Sequence, residues 1–287
     1  MIQQSYSRGV LYVILAGVFL STGGLMVRHV AEADAWTVLF YRSLTFSVTV
    51  LAFLWFQERK NTLNLYKHMR GLDFLIALSL ALGFIFYLLS LFSTSVANTV
   101  LVLSTGPFIA AFLGWLVLRE RVTIVTILAM IVAVAGVVVM VSGGIAASDI
   151  KGIIFAFMAV LSFAVMIVSL RKIGSKRNTM SAVSLAGFLA AAMCLPFVPT
   201  LQISGNDLLM AICLGSLQVG LGFILITLGS RSVPAAQVPL LALGETALAP
   251  LWVWLIVNET PARNTLIGGA LVLAAVLFQG VMGLRSR

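Results

Sequence analysis

Two stretches decide the reading of this chain: ANTVLVLSTGPFIAAFLGWLVLRE at residues 97–120 and AQVPLLALGETALAPLWVWLIVNE at residues 236–259. At an offset of 139 they pair Ala97 with Ala236, Leu101 with Leu240, Ala110 with Ala249, Trp115 with Trp254, Leu116 with Leu255 and Glu120 with Glu259. Apolar helices share leucines and alanines by chance, so those pairs carry little weight. A Trp and a Glu in register, five residues apart in both copies, carry more. Further upstream, at an offset of 143, Arg8-Gly9 pairs with Lys151-Gly152 and Arg28 with Arg171. The chain therefore reads as a duplication, one copy over residues 1–146 and the other over 150–287.

Each copy is overwhelmingly apolar. Hydrophobic residues make up 61% of the 287 positions and charged residues 9%, whereas soluble domains run near 25% charged. That balance excludes an ordinary soluble fold, a disordered chain and a disulfide scaffold. A helical span needs about 20 apolar residues. Ten segments qualify: 9–29, 35–56, 72–92, 95–118, 122–142, 151–171, 180–200, 207–230, 235–257 and 263–283. None alternates with period two, so helices are expected and a β-barrel is not. The expected fold is an all-α polytopic membrane protein of ten transmembrane helices. The first segment follows Arg8 and resembles a signal peptide, with Ala31-Glu32-Ala33 as a loose cleavage pattern. The repeat argues that it is kept.

Five spans per copy is an odd number, so the second copy must enter the bilayer upside down relative to the first. Inverted repeats are the signature of alternating-access transporters, whose site lies between the copies near the midplane. The charge distribution sets the orientation. With the N-terminus in the cytoplasm, the inside segments hold fourteen Lys and Arg, the outside segments three (Arg28, Lys151 and Arg263), and Arg42 lies within a span. The positive-inside rule then places both termini in the cytoplasm. It also explains the net charge of +9 without a nucleic-acid partner. Trp36 and Trp55 bracket the second span and are separated by roughly 28 Å of helix, which matches a bilayer core.

These residues resemble the drug/metabolite transporter superfamily, in its EamA-type ten-helix branch, over nearly the whole chain. Trp115 with Glu120, and Trp254 with Glu259, fit that family's Trp-rich stretch and following Glu. Its Leu-Glu-Pro-like motif in spans four and nine is split here. The first copy reads Thr105-Gly106-Pro107 and the second Gly244-Glu245-Thr246. The family's frequent Trp in spans one and six appears as Leu20 and Phe163. The resemblance implies carriage of small metabolites, often export of amino acids or related compounds.

Two ionisable residues lie well inside spans, where charge is expensive and usually functional. Glu245 sits near the middle of span nine. It reads as a substrate contact or proton carrier, or else as a protonated side chain bonded to a neighbouring backbone. Arg42 lies roughly 10 Å below the outer end of span two. It reads as a fork for a substrate carboxylate, a partner for Glu245, or a side chain snorkelling to the interface. Pro107, Pro239 and Pro250 fall in spans four and nine, where proline frees the carbonyls of Leu103, Ala235 and Thr246 for a hinge or a polar cavity, or merely kinks the helix.

Weaker polar candidates are Ser21, Thr22, Asn98, Thr105, Gln218, Gln237, Gln279, Tyr41 and Tyr87, with Asn98 and Gln237 at matching repeat positions. Interhelical hydrogen bonding is the plainer role for these. Small residues on spans five and ten (Ala129, Ala133, Gly136; Gly268, Gly269, Ala270, Ala274) read as close packing. Glu120 and Glu259 are expected to pair locally at helix ends. Cys194 and Cys213 read as small apolar residues, with a redox pair the minor alternative.

His29 and His68 sit at span ends, so no metal site is expected within the membrane, and without a Walker A loop no ATP drive. No cofactor is called for. The sequence thus points to a secondary transporter in the plasma (bacterial inner) membrane, monomeric or homodimeric, with coupling to the proton gradient as one expectation. The alternative is a polytopic enzyme acting on a lipid-linked substrate, which lacks a histidine to pair with its Ser and Thr hydroxyls. A non-transporting scaffold leaves the buried charges unexplained.

Overall fold

The computed structural model describes residues 2–58, 62–119, 124–141, 147–173, 179–229 and 238–285. All regular structure among them is helical. The elements are α1 (Ile2–Ser21), α2 (Gly23–Arg28), α3 (Ala35–Glu58), α4 (Thr62–Lys67), α5 (Gly71–Ser93), α6 (Val96–Leu103), α7 (Gly106–Leu118), α8 (Ile124–Val141), α9 (Ala147–Ile173), α10 (Met180–Cys194), α11 (Gly205–Ile212), α12 (Gly222–Gly229), α13 (Val238–Val257) and α14 (Arg263–Arg285). Between α11 and α12 the same rod winds as a π-helix, Cys213–Leu221. Seven stretches among the described residues are long and apolar enough to cross a bilayer, and three shorter apolar helices at 127–139, 248–257 and 263–275 join them. The protein is an all-α polytopic membrane protein.

Local chemistry fixes where the helices start and stop. Asp34 accepts from the backbone N–H groups of Trp36 (2.8 Å) and Thr37 (3.2 Å), satisfying donors that the first turn of α3 leaves free. Ser95 does this for α6 and Ser204 for α11, each accepting from the third residue on. Span four is broken: α6 ends at Leu103, Ser104 and Thr105 form a turn, and Gly106-Pro107 opens α7. Proline has no N–H to continue the ladder and suits the first turn of a new helix. Pro250, by contrast, lies inside the continuous α13, and Pro239 falls in that helix's first turn.

Packing follows a paired pattern. The third span (α5) lies on the sixth (α9), and the eighth (α11 to α12) lies on the first (α1). The first packs on the ninth (α13) and the sixth on the fourth (α6, α7). The seventh (α10) packs on the third, and the second (α3) on the eighth. Second with seventh, and fifth (α8) with tenth (α14), complete it. Exchanging each span for the one five places on returns the same set of neighbours.

The first span is integral to this core, with Val13 and Ala16 fully buried. The main core runs through α3, α5, α10 and the π segment, with Phe46, Leu80, Leu88 and Leu214 at 1% exposure or less. Spans five and ten meet through small residues, as expected: a Cβ on Gly136 would lie 2.7 Å from the Gly268 carbonyl oxygen. Lipid offers no hydrophobic drive for helix association, so such close approach is what holds the pair together.

Candidate functional site

Arg42 stands on α3 and is only 2% exposed, so it does not snorkel. Its guanidinium carbon lies 5.1 Å from the Phe84 ring centroid and 5.9 Å from that of Tyr87, both on α5. Two aromatic faces offer a buried cation partial compensation, but among the described residues its Nε has no hydrogen-bond partner, and neither does the Ser43 hydroxyl beside it. The glycine-containing π segment makes this burial possible. A Cβ on Gly215 would collide with the Arg42 carbonyl oxygen and the Thr45 hydroxyl. Only glycine lets the eighth span come so near α3.

Tyr87 connects Arg42 to the rest of the site. It is 8% exposed and lies within Coulombic reach of both Arg42 and Glu245. Its hydroxyl and the side-chain amide of Gln218 converge on Gly23, where a Cβ would sit 3.0 Å from Tyr87 Oη and 2.9 Å from Gln218 Nε2. Gln218, on the π segment and 2% exposed, donates from Nε2 to the Leu20 carbonyl at 3.1 Å, while its Oε1 has no partner among the described residues. Trp252 of α13 donates from Nε1 to the Ser21 hydroxyl at 2.9 Å, tying the ninth span to the first beside these groups.

Glu245 is half-buried on α13. Among the described residues it forms no ion pair with Arg42; both charges lie within Coulombic reach of the Tyr87 phenol. Four spans thus bring Gly23, Arg42, Tyr87 and Gln218 together, with Glu245 of a fifth within Coulombic reach: a buried cation, a phenol, an amide and, farther off, a carboxyl group. Such a set can recognise a small polar molecule by complementary charge and hydrogen bonding.

Other sequence candidates lie elsewhere. Asn98 is satisfied at the start of α6, donating to Thr94 Oγ1 at 3.0 Å and accepting from Thr265 of α14 at 3.0 Å. The Tyr41 hydroxyl donates to the Leu201 carbonyl at 2.7 Å. Thr22 and Thr105 bond to carbonyls three residues back within their own turns. Gln237 lies outside the described residues. Both cysteines are free thiols, and Cys194 is buried within Coulombic reach of Arg42.

The expectation of local pairing for Glu259 is corrected. It reaches across the fold to Arg28, Oε2 to Nε at 2.6 Å, and its Oε1 accepts from the Val96 N–H at 3.0 Å. The same guanidinium donates to the carbonyls of Leu91 (2.7 Å) and Thr94 (2.8 Å). One ion pair thereby binds the ends of the first, third and ninth spans and the start of the fourth. Nearby in topology, Asp207 accepts from the backbone N–H groups of Ala31, Glu32 and Ala33 at 2.8–2.9 Å. Two signals were available for the ion pair, since Arg28 and Glu259 each occupy a repeated position. Nothing in the sequence singled out the π segment or the Phe84 ring.

The profile of the EamA-like transporter family matches this chain twice, over residues 7–142 and 150–280. A protein of Archaeoglobus fulgidus, named an uncharacterized transporter, is 29% identical over 265 residues, covering 92% of this chain and 93% of its own. A crystal structure at 18% identity superposes with a TM-score of 0.70, covering 98% of this chain and 99% of the other. At that identity the likeness speaks to the fold alone.

Proposed function

This chain belongs to the EamA-like transporter family and is a multi-pass membrane transporter, and we propose that it is a secondary carrier exporting small metabolites, amino acids or related compounds among them, by alternating access. Residues 1–146 and 150–287 form two halves of opposite polarity, with both termini in the cytoplasm and the site between the halves. The twofold family match and the exchangeable packing pattern support this division. Arg42, Glu245, Tyr87 and Gln218 engage substrate or the coupling proton. The break at Ser104–Thr105, ahead of Pro107, gives span four a joint about which its two segments can turn.

The observation that carries the reading is Arg42. A guanidinium held inside a membrane bundle, with no carboxylate paired to it among the described residues, is costly to maintain. A carrier has a use for it, because a substrate anion supplies the missing partner for part of each cycle. Glu245, within reach of the same tyrosine, can exchange a proton as substrate comes and goes.

The test is flux in proteoliposomes with a metabolite that the protein exports from overexpressing cells. Arg42→Ala and Glu245→Gln should each lower that flux at least tenfold. Unchanged flux in both variants refutes the site.

A further inference from the structure

We propose that Glu259 is the movable jaw of an outer-face latch, which holds the ninth span shut against the first span and the start of the fourth and lets go once per transport cycle. This deepens the alternating-access reading above and rests on it.

The contact is built unevenly. Arg28 is held within its own half, where its guanidinium donates to the Leu91 and Thr94 carbonyls at 2.7 and 2.8 Å. Its Nε bond to Glu259 Oε2, at 2.6 Å, crosses to the other half. Both Glu259 oxygens reach across that boundary, Oε1 accepting from the Val96 N–H at 3.0 Å. When Glu259 leaves, Arg28 keeps two partners, so the socket survives and only the carboxylate has to be rehydrated.

Partial exposure makes the contact breakable. The two side chains are 23% and 25% exposed, so water replaces each bond as it parts, and an ion pair of this kind shifts an equilibrium only modestly. Asp207 contrasts with it. That carboxylate is fully buried on three backbone N–H groups, joins the 31–33 connection to α11, and stays in place as the frame against which the ninth span moves.

The end of α13 is wound to present the carboxylate. Asn258 takes a left-handed conformation (φ 59), and the Glu259 N–H donates back to the Val253 carbonyl at 3.4 Å. Arg119, in register with Asn258 at the offset of 139, is left-handed too (φ 56). Positive φ is uncommon outside glycine, and here it recurs at one repeat position, so each copy builds the same turn. Val96 opens α6, the segment of span four ahead of the break at Ser104–Thr105. Release of Glu259 therefore also frees the N–H that pins α6 and lets it turn on that joint. Thr265 of α14, which donates to Asn98 Oδ1 at 3.0 Å, parts with it.

Spin labels on paired cysteines read both faces, in the full-length protein lacking Cys194 and Cys213, reconstituted without any substrate. His29 with Arg263 reports the outer end. Their repeat counterparts, Lys172 with Ile124, report the inner end, and all four positions are exposed. Glu259→Gln and Arg28→Gln should each raise the population at the longer outer distance about fivefold, the shift expected for one lost charged hydrogen bond, while the inner distance holds or shortens. Arg28→Lys, which keeps the charge, should stay nearer the wild type. Arg171→Gln, the matching change at the other face, should leave the outer end closed. Where a variant does not fold, salt raised to about 1 M, which screens exposed charge, should shift the wild type the same way.

An outer distance unmoved by salt and by every folded variant overturns the latch. So does an inner distance that lengthens in step, which is loosening of the whole bundle, or an Arg171→Gln protein that opens the outer end as far as Arg28→Gln. Flux is a separate measurement. Distances that move as stated without flux would sink the carrier reading alone, and flux with a rigid outer end would sink the latch alone.

Discussion

Arg28 and Glu259, separated by 231 positions, meet at 2.6 Å and close a hub where four spans end or begin. Both side chains are about a quarter exposed, at 23% and 25%, so solvent weakens the charge term while the hydrogen bonds to backbone persist. Glu259→Gln should cost about 1–2 kcal/mol, and Arg28→Gln more, because Arg28 also serves the Leu91 and Thr94 carbonyls. Thermal unfolding in detergent reads the difference. Equal losses for the two variants would mean that the backbone bonds add nothing.

Arg42→Met should separate stability from activity. Insertion scales put an arginine near a helix centre at about 2.5–3.5 kcal/mol. Removing one that pairs with no carboxylate among the described residues should leave the melting temperature unchanged or raise it, while flux is lost. A melting temperature several degrees lower would mark Arg42 as a structural residue.

Asp207 is fully buried and accepts three backbone N–H groups from residues 31–33. Asp207→Asn keeps the shape but places an NH2 against donors. The expected cost is about 2–3 kcal/mol, with faster proteolysis or labelling in the 31–33 connection. Unchanged protection of that connection would refute the anchoring role.

Gly136→Ala should weaken the contact between α8 and α14, because the new Cβ meets the Gly268 backbone oxygen at 2.7 Å and neither backbone can retreat cheaply. A loss of about 1–3 kcal/mol is expected. Gly71→Ala, with nothing within 4 Å, is the neutral control. If both behave alike, the small-residue seam is not what joins these helices.

Orientation can be checked with single cysteines at Gln202 and Lys67, both exposed, in a background lacking Cys194 and Cys213. An impermeant thiol reagent added to intact cells should label position 202 and spare position 67. The reverse pattern inverts the topology.

Composition and periodicity by themselves determined that lipid surrounds this chain, because 9% charge cannot cover a soluble surface. The register of Trp115 and Glu120 with Trp254 and Glu259 made the duplication legible, and an odd count of spans made inversion follow. The rarity of ionised groups in apolar helices was enough to single out Arg42 and Glu245. What the sequence left open was pairing between residues distant in the chain. Arg42 had three readings, a fork for a substrate carboxylate, a partner for Glu245 and escape to the interface, and only packing against Phe84, Tyr87 and the π segment ruled out the escape. Glu259 read as a local ion because sequence neighbours are all a linear pattern offers, whereas its partner lay on the first span. Helix identity is a local property of side chains in lipid. Which orphaned donor finds which acceptor depends on close approach between spans, set in part by single glycines such as Gly215 and Gly23, whose effect appears only when two helices are brought together.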